Sequence, residues 1–343
     1  MLTGTENRAS VWDGLDKPWD LIIIGGGITG AGILREAVRL GLQVVLLEQG
    51  DFASGTSSRS SKMVHGGLRY LNNFQFKVTY RSVCERETLL REGPGLIEPL
   101  PFVYPLHDND QMPSWMMDFG LRMYGWMGHR WKIHETLDRL EIGMMVPGLN
   151  AQGITGGFRF YDAQTDDARL VLRVLREGIA AGSAVAINYA RVEGLLYDEQ
   201  GQVNGVMVRD RETGQTYDMR SSVVVNATGA WVDRLRGEVG KQPRIRPLRG
   251  SHLLFSQRRF PLHQAVSFIH PDDGRPVFAF PWEGVTLLGT TDHDHRTDLN
   301  IEPRISREEV TYLMRVVEVN FPALALTEDD IISTFAGVRP VVG

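Results

Sequence analysis

Residues 19–50, WDLIIIGGGITGAGILREAVRLGLQVVLLEQG, restrict the fold more than any other stretch of the chain. Leu21 to Ile24 is an unbroken apolar run, as expected of a parallel strand buried on both faces. Gly25, Gly26 and Gly27 follow, and Ile28 to Leu40 then reads as a helix stopped by Gly41. Gln43 to Leu47 is a second apolar strand ending at Glu48, which makes the whole a βαβ unit. Gly25, Gly27 and Gly30 spell G-x-G-x-x-G, a weak signal alone. Here it follows a strand, opens a helix and meets an acid, Glu48, twenty-one residues after Gly27. Each part has a reason. Gly25 permits the tight turn, Gly27 lets the backbone approach a pyrophosphate, and Gly30 lets helix and strand pack closely. The helix N-terminus offers N–H groups and partial positive charge to phosphates, and Glu48 can accept from a ribose hydroxyl. The stretch therefore predicts a dinucleotide site.

Composition narrows the class. The chain has 343 residues, enough for a large core or two domains, and its 42% hydrophobic and 23% charged content is that of a globular protein. A formal net charge of −5 gives no basic field for nucleic acid. One cysteine, Cys84, rules out an intrachain disulfide framework and suggests a reducing, cytoplasmic setting. In its helix-like surroundings Cys84 reads as a buried small hydrophobe rather than a reactive thiol. The first nineteen residues lack a signal-peptide pattern, and no apolar run approaches the ~20 residues that span a bilayer. The expectation is a soluble protein that at most lies on a membrane surface.

Further along, Phe74 to Arg91 reads as a helix, Phe102 to Leu106 as a short strand between prolines, and Asp167 to Ala181 as a helix before Gly182. Runs at 184–188, 191–197, 203–209, 215–219 and 222–226, split by DEQG and ETG, read as a β-meander returning to a buried strand. More strands follow from Ser251 to Thr290, then a helix from Ser306 to Val319 and a last strand from Ile331 to Val338. The pattern predicts an α/β protein: a Rossmann-like dinucleotide layer with a meander insert, plus a mixed-sheet second domain. The boundaries expected are a flexible tail at 1–18, a nucleotide unit at 19–100, 155–235 and 330–343, and a substrate unit at 101–154 and 236–329. VVVNATGAW adds a strand ending in a small-residue turn at Thr228-Gly229, where a cofactor can lie close. A meander before such a turn favours a flavin over a simple nicotinamide enzyme.

Two other stretches leave alternatives open. TTDHDHRTD holds Asp292, His293, Asp294 and His295, but alternating side chains on an extended chain point opposite ways, so a solvated loop is preferred to a metal site. The stretch from Trp115 to Trp131 has Met116, Phe119, Met123 and Met127 at helical spacing and reads as a core helix, with a membrane- or quinone-facing surface as the other reading.

Seven blocks in order, DLIIIGGGITGAGILREA, TSSRSSKMVHGGLRYL, DDARLVL, VVNATGAWV, RGSHLLF, GTTD and GVRP, resemble the FAD-dependent glycerol-3-phosphate dehydrogenases, within the wider glycine-oxidase and D-amino-acid-oxidase-like flavoproteins. They cover nearly the whole chain from Trp19. The resemblance implies FAD as cofactor, oxidation of glycerol 3-phosphate to dihydroxyacetone phosphate, a quinone as electron acceptor, contact with the cytoplasmic face of a membrane, and a homodimer. It further implies Arg69, Tyr70, His252, Thr291 and Arg339 as substrate contacts, with His252 and Arg339 catalytic, and no metal. Arginine suits a phosphate because its planar fork binds two oxygens at once. Histidine suits the proton that leaves the C2 hydroxyl, with His252 preferred and His65 the other candidate. On the cofactor side the resemblance adds Thr56, Ser57, Ser58, Ser61 and Lys62 at the pyrophosphate, His65 and Gly66 at the flavin ring, and Val192, Thr228 and Gly229. The family pattern runs past GVRP to a GGK-L-T turn and a helical C-terminal domain, neither of which this sequence contains. An inactive fragment therefore stays open, as does a related flavin oxidase of an amine or 2-hydroxy acid.

Overall fold

The computed structural model describes residues 8–67, 75–108, 110, 113–128 and 134–343. Among them are helices α1 (Arg8–Asp13), α2 (Ile28–Arg39), α3 (Phe76–Glu92), α4 (Ser114–Met127), α5 (Arg139–Met145), α6 (Asp167–Ala180), α7 (Val232–Glu238) and α8 (Arg307–Asn320). The strands are β1 (Trp19–Ile24), β2 (Val44–Leu47), β3 (Met63–Val64), β4 (Ile97–His107), β5 (His134–Leu137), β6 (Ile154–Thr165), β7 (Ala184–Ile187) and β8 (Ala190–Tyr197). They continue as β9 (Val203–Asp210), β10 (Thr216–Asn226), β11 (Ile245–Ser256), β12 (Ala265–Ile269), β13 (Pro276–Trp282), β14 (Val285–Gly289), β15 (His293–Asp294) and β16 (Ile331–Val342).

The first sheet is six-stranded in the order β7-β2-β1-β10-β9-β8. β1 pairs parallel with β2 and β10, and its apolar run serves two cores at once. Leu21 and Ile23 pack toward α2 and α6, while Ile22 and Ile24 pack toward α1 and the meander. Successive side chains of a strand point to opposite faces, so a strand covered on both sides has no polar positions left. The two runs read at 215–219 and 222–226 are one strand. The N-terminal half of β10 is antiparallel to β9, and its C-terminal half is parallel to β1. The meander is thus joined directly to the nucleotide layer.

The second sheet has ten strands, running β15-β11-β14-β13-β12-β4-β6-β3, with β16 on β11 and β5 on β6. α8 covers one of its cores through Leu313, Val316 and Val317, against Leu253, Phe255 and Val266. β4 is longer than its sequence suggested because Pro99, Pro101 and Pro105 stand two and four residues apart. All three missing N–H groups fall on one edge, which leaves the donors of the other edge for β6.

Three expected boundaries do not follow the strands. Residues 330–343 were grouped with the nucleotide unit, yet β16 pairs with β11 from Ile245↔Val342 to Phe255↔Ile331 in the second sheet. β6 and the start of β4, also grouped there, lie in the second sheet too. The expected tail at 1–18 holds α1, whose buried Trp12 stacks on Tyr217 at 4.5 Å and whose Arg8 reaches Asp210 at 2.7 Å. Burying one indole contributes on the order of 2–3 kcal/mol, enough to dock a six-residue helix that would not form alone.

Candidate active site

The nucleotide end is built where β1 and β10 finish side by side. Gly25 has φ +113°, and a Cβ there would meet the Ala227 carbonyl oxygen at 2.5 Å. A Cβ on Gly30 would overlap the Gly25 carbonyl oxygen, so α2 can lie against the strand end only without one. At Gly27 the nearest atom to an added Cβ is the Ser57 hydroxyl at 3.0 Å, and Gly27 supplies no side-chain cap to α2. That leaves the helix N-terminus open to a phosphate from this side. Ser57 Oγ already accepts from the Ile28 N–H at 3.0 Å, which shows that an acceptor fits there. Glu48 accepts from the Gly26 and Gly50 N–H groups, each at 2.7 Å, and keeps further lone pairs for a hydroxyl donor. Burial pushes its carboxyl above the usual range, and those backbone donors pull it back down in part. Thr228 gives its hydroxyl to Asn226 Oδ1 at 2.7 Å, and Gly229 has φ +57° with open space beside it. A dinucleotide such as FAD fits this end. Val192 is a core residue of the meander paired with Val208, so any contact with a cofactor would run through its main chain.

The stretch from Ser54 to Gly67 is ordered by partners the sequence did not reveal. Lys62 was expected at the pyrophosphate. Its ammonium is instead buried, 2.6 Å from Asp167 Oδ1 and 2.6 Å from the Ser58 carbonyl oxygen, with the rings of Trp282 and Phe335 each 5.4 Å away. Asp167 also accepts from the Ser60 N–H and hydroxyl at 3.0 and 2.7 Å. The hydroxyls divide differently from expectation. Ser57 lies at the α2 N-terminus, Thr56 donates to the Val338 carbonyl at 2.5 Å, Ser58 to that of Gly55 at 3.4 Å, and Ser61 bonds His252 Nε2 at 2.8 Å. His65 is exposed. Gly66 is buried, and its reason for being glycine is Tyr124 and Val83, whose side chains a Cβ would overlap. Arg69 and Tyr70 lie outside the described residues.

The far end of that loop meets the second sheet. His252 on β11 is 1% exposed and stacks on Phe335 of β16 at 4.4 Å and 16°. Burial, followed by the charges of Arg339 and Lys62, lowers its pKa to about 3, so the ring is neutral. Its Nδ1 is buried without a partner. Arg339 sits on β16 opposite Leu248 and is partly exposed, bonding Thr290 Oγ1 and Asp292 at 3.0 Å each. Thr291 was expected to donate to a substrate, but its hydroxyl donates to Glu309 Oε1 at 2.7 Å and accepts from the Ser251 N–H at 2.9 Å. Burial raises the Glu309 carboxyl, but donors from Ser306, Thr291, Arg249 and Ser251 outweigh it and hold the group ionised. Thr291 therefore shapes the site from behind. The structure brings Ser61, Lys62, His252, Thr290 and Arg339 together. Sequence reading gave no role to Asp167, Glu309 and Asn226 and weighed Asp292 only as a loop or metal residue, although Asp167, Asn226 and Asp292 lie inside the quoted blocks DDARLVL, VVNATGAWV and GTTD.

Beyond this cluster, Asp294 pairs with Arg246 at 2.6 Å, His293 approaches the Tyr312 ring, and His295 is buried with neither ring nitrogen partnered. Among the described residues no three His, Cys, Asp or Glu converge on a metal position. Cys84 is half-buried, with its thiol toward the Met127 carbonyl at 3.9 Å. On α4 the phase differs from the sequence reading. Met117, Leu121, Tyr124 and Met127 are buried, whereas Trp115, Met116, Phe119 and Trp126 are exposed by 67, 44, 62 and 74%. Trp131 lies outside the described residues.

Known proteins place this architecture. The model of the FAD dependent oxidoreductase family matches residues 20–343. An aerobic glycerol-3-phosphate dehydrogenase of Staphylococcus aureus is 39% identical over 328 residues, 94% of this chain and 58% of that protein. The chain thus spans little more than half the length of the curated relatives it matches. The crystal structure of the glycerol-3-phosphate dehydrogenase from Bacillus halodurans complexed with FAD gives a TM-score of 0.82 at 35% identity, covering 100% of this chain and 61% of that one. The L-alpha-glycerophosphate oxidase from Mycoplasma pneumoniae, with FAD bound, gives 0.74 at 17% identity over 95% of this chain and 84% of its own, a likeness of fold alone. A nucleotide cradle open at Gly27 and a family match from the first strand onward lead to one assignment: this chain belongs to the FAD dependent oxidoreductases.

Proposed function

We propose that the protein oxidises glycerol 3-phosphate to dihydroxyacetone phosphate. The observation that carries this reading is the Ser61–His252 hydrogen bond at 2.8 Å, which seats the substrate-side histidine directly on the cofactor-side loop, with Arg339 on the adjoining strand. FAD, when bound, supplies the redox chemistry by taking the hydride from the C2 carbon. The chain's own residues bind and aim. Arg339 holds the substrate phosphate, and Arg69, which lies outside the described residues, is proposed as the second cation on it. Asp292 is the carboxylate the phosphate displaces or shares. His252 takes the proton of the C2 hydroxyl. Before substrate arrives it is a weak base, because burial beside Arg339 and Lys62 disfavours the imidazolium. A phosphate against Arg339 offsets part of that positive charge, the second cause after burial, and so raises the basicity of His252.

The test is anaerobic reduction of the flavin in the purified protein. Glycerol 3-phosphate should bleach the flavin band, glycine and 2-hydroxyglutarate should not, and a soluble quinone should restore it faster than oxygen. Bleaching by glycine instead would favour an amine oxidase, and a protein that binds no flavin would end the proposal.

We further propose that α4 rests on an anionic lipid surface at the cytoplasmic face of a membrane, where a quinone is within reach. No helix among the described residues is long and apolar enough to cross a membrane. Trp115, Phe119, Arg122 and Trp126 fall at i, i+4, i+7 and i+11, one outward stripe with aromatic rings and a cation, the composition of an interfacial helix. The unpaired Cys84 agrees with a reducing compartment. Replacing Trp115, Phe119 and Trp126 together by alanine should cut co-sedimentation with phosphatidylglycerol vesicles by at least about tenfold. Equal sedimentation of variant and parent would remove α4 from the contact.

A further inference from the structure

The carboxylate of Asp162 is buried and has no part in the chemistry above. β3 pairs with β6 through Met63↔Gln164 and Val64↔Ala163, and the ladder ends there. Past its end, Asp162 Oδ1 takes the Gly66 N–H at 3.1 Å. The same oxygen accepts from Tyr124 Oη on α4 at 2.6 Å and from Arg86 Nη1 on α3 at 2.5 Å. Arg86 also bonds Tyr124 Oη at 2.9 Å and the Tyr161 carbonyl at 3.3 Å. Burial, reinforced by the Asp162 charge, keeps the Tyr124 hydroxyl protonated, so it is a donor here.

Such a cluster is a poor source of stability. Taking an ion pair out of water costs about what its attraction returns, and apolar packing of equal volume is commonly as good. Two side-chain donors from two helices nevertheless converge on the one carboxylate oxygen that holds the Gly66 N–H. The residue they hold is packed so tightly by Tyr124 and Val83 that it has no room for a Cβ. The held segment runs from exposed His65 to Gly67, which has φ +75°. It lies four residues beyond Ser61, the hydroxyl that bonds His252.

We propose that Arg86, Tyr124 and Asp162 form a positioning clamp that fixes the main chain of His65–Gly67 where it borders the flavin ring. The proposal rests on the FAD-binding reading. The clamp touches neither cofactor nor substrate and acts through Gly66. Removing one donor to the carboxylate should loosen that main chain and leave the rest of the fold in place.

The test uses the full chain and two variants of nearly unchanged shape, Tyr124→Phe and Asp162→Asn. Each is measured for melting temperature without FAD, for FAD Kd, for the flavin absorbance spectrum and midpoint potential, and for KM and kcat with glycerol 3-phosphate. Tyr124→Phe should melt within a few degrees of the parent, bind FAD about tenfold more weakly, shift the flavin spectrum and potential, and lower kcat with KM unchanged. Asp162→Asn, which leaves buried Arg86 paired with Glu87 alone, should do more of the same and also lower the melting temperature further. Parental FAD Kd and spectrum in both variants would overturn the clamp. So would FAD loss that only tracks the fall in melting temperature. Failure of the parent to bind FAD would instead refute the cofactor reading on which the clamp rests, and the two failures are told apart by the parent alone.

Discussion

Asp167→Ala should lower the melting temperature by roughly 10 °C and strip the protein of FAD at concentrations that saturate the parent. Lys62 and Asp167 are both buried, with their charged atoms 2.6 Å apart. Removing the acid leaves an ammonium in the interior with the Ser58 carbonyl as its hydrogen-bond acceptor and two aromatic rings beside it. Breaking a buried pair from one side costs about 3–5 kcal/mol, because the remaining charge is uncompensated. Two more donors, the N–H and hydroxyl of Ser60, lose their acceptor at the same time. Lys62 also has φ +56°, a left-handed conformation that costs a non-glycine residue on the order of 1 kcal/mol and that the Asp167 contact offsets. The double variant Lys62→Met with Asp167→Leu separates the two effects. It should recover most of the melting temperature, since no charge is stranded, but little of the FAD affinity, since Ser58 and Ser60 lose their anchor. A single-variant shift under about 2 °C would show that Lys62 reaches water and that the loop is held by something else.

That pair also shows what was and was not legible in the sequence. The βαβ unit of the nucleotide end was legible because each of its constraints is local. Gly30 meets the oxygen of Gly25, and Glu48 meets the N–H of Gly26, all within one βαβ unit. Lys62 looked like a phosphate ligand because its sequence neighbours are hydroxyls. Its true partner stands 105 residues away, and no local pattern encodes a contact of that kind. The same holds for Ser61 with His252, 191 residues apart, and for Arg86 with Asp162, 76 apart. Thr291 was placed in the right turn with the wrong role, because the carboxylate that claims its hydroxyl belongs to a helix whose N-cap reads only as a capping box. On α4 the period was visible but the phase was not. With Trp, Met and Phe on every side, helical spacing cannot say which stripe faces in, and the buried one proved to be Met117, Leu121 and Tyr124. The meander strand β10 was cut in two because polar Arg220 and Ser221, where it changes partners from β9 to β1, separate its two halves. Motifs were more legible than architecture: some of the quoted blocks hold residues that meet in the fold, as Ser61 and His252 do, while the boundaries between sheets followed pairings that only the folded chain displays.

Acid should expose the state of His252. Its pKa is 6.5 in the unfolded chain and about 3 when folded, with burial the main cause and the charges of Arg339 and Lys62 the next. Between those values the unfolded chain binds a proton that the folded chain refuses. Folding stability is therefore complete above pH 6.5 and falls as pH drops toward 3. From pH 6.5 to about pH 4.5 the loss attributable to this one residue should be about 2 kcal/mol. Carboxylates titrate in part of the same window, so the measurement is a difference. Urea unfolding of the parent and of His252→Gln across that range should give curves that diverge by about that amount, the parent being the steeper. Parallel curves would mean that His252 is already solvated or charged. Adding glycerol 3-phosphate provides the functional arm. If the phosphate sits against Arg339, it removes part of the charge that depresses His252, raises the folded pKa and flattens the parent's curve, with no such effect on the variant. A ligand that stabilised both proteins equally at every pH would bind away from Arg339, and His252 could not then be the group whose basicity substrate arrival raises.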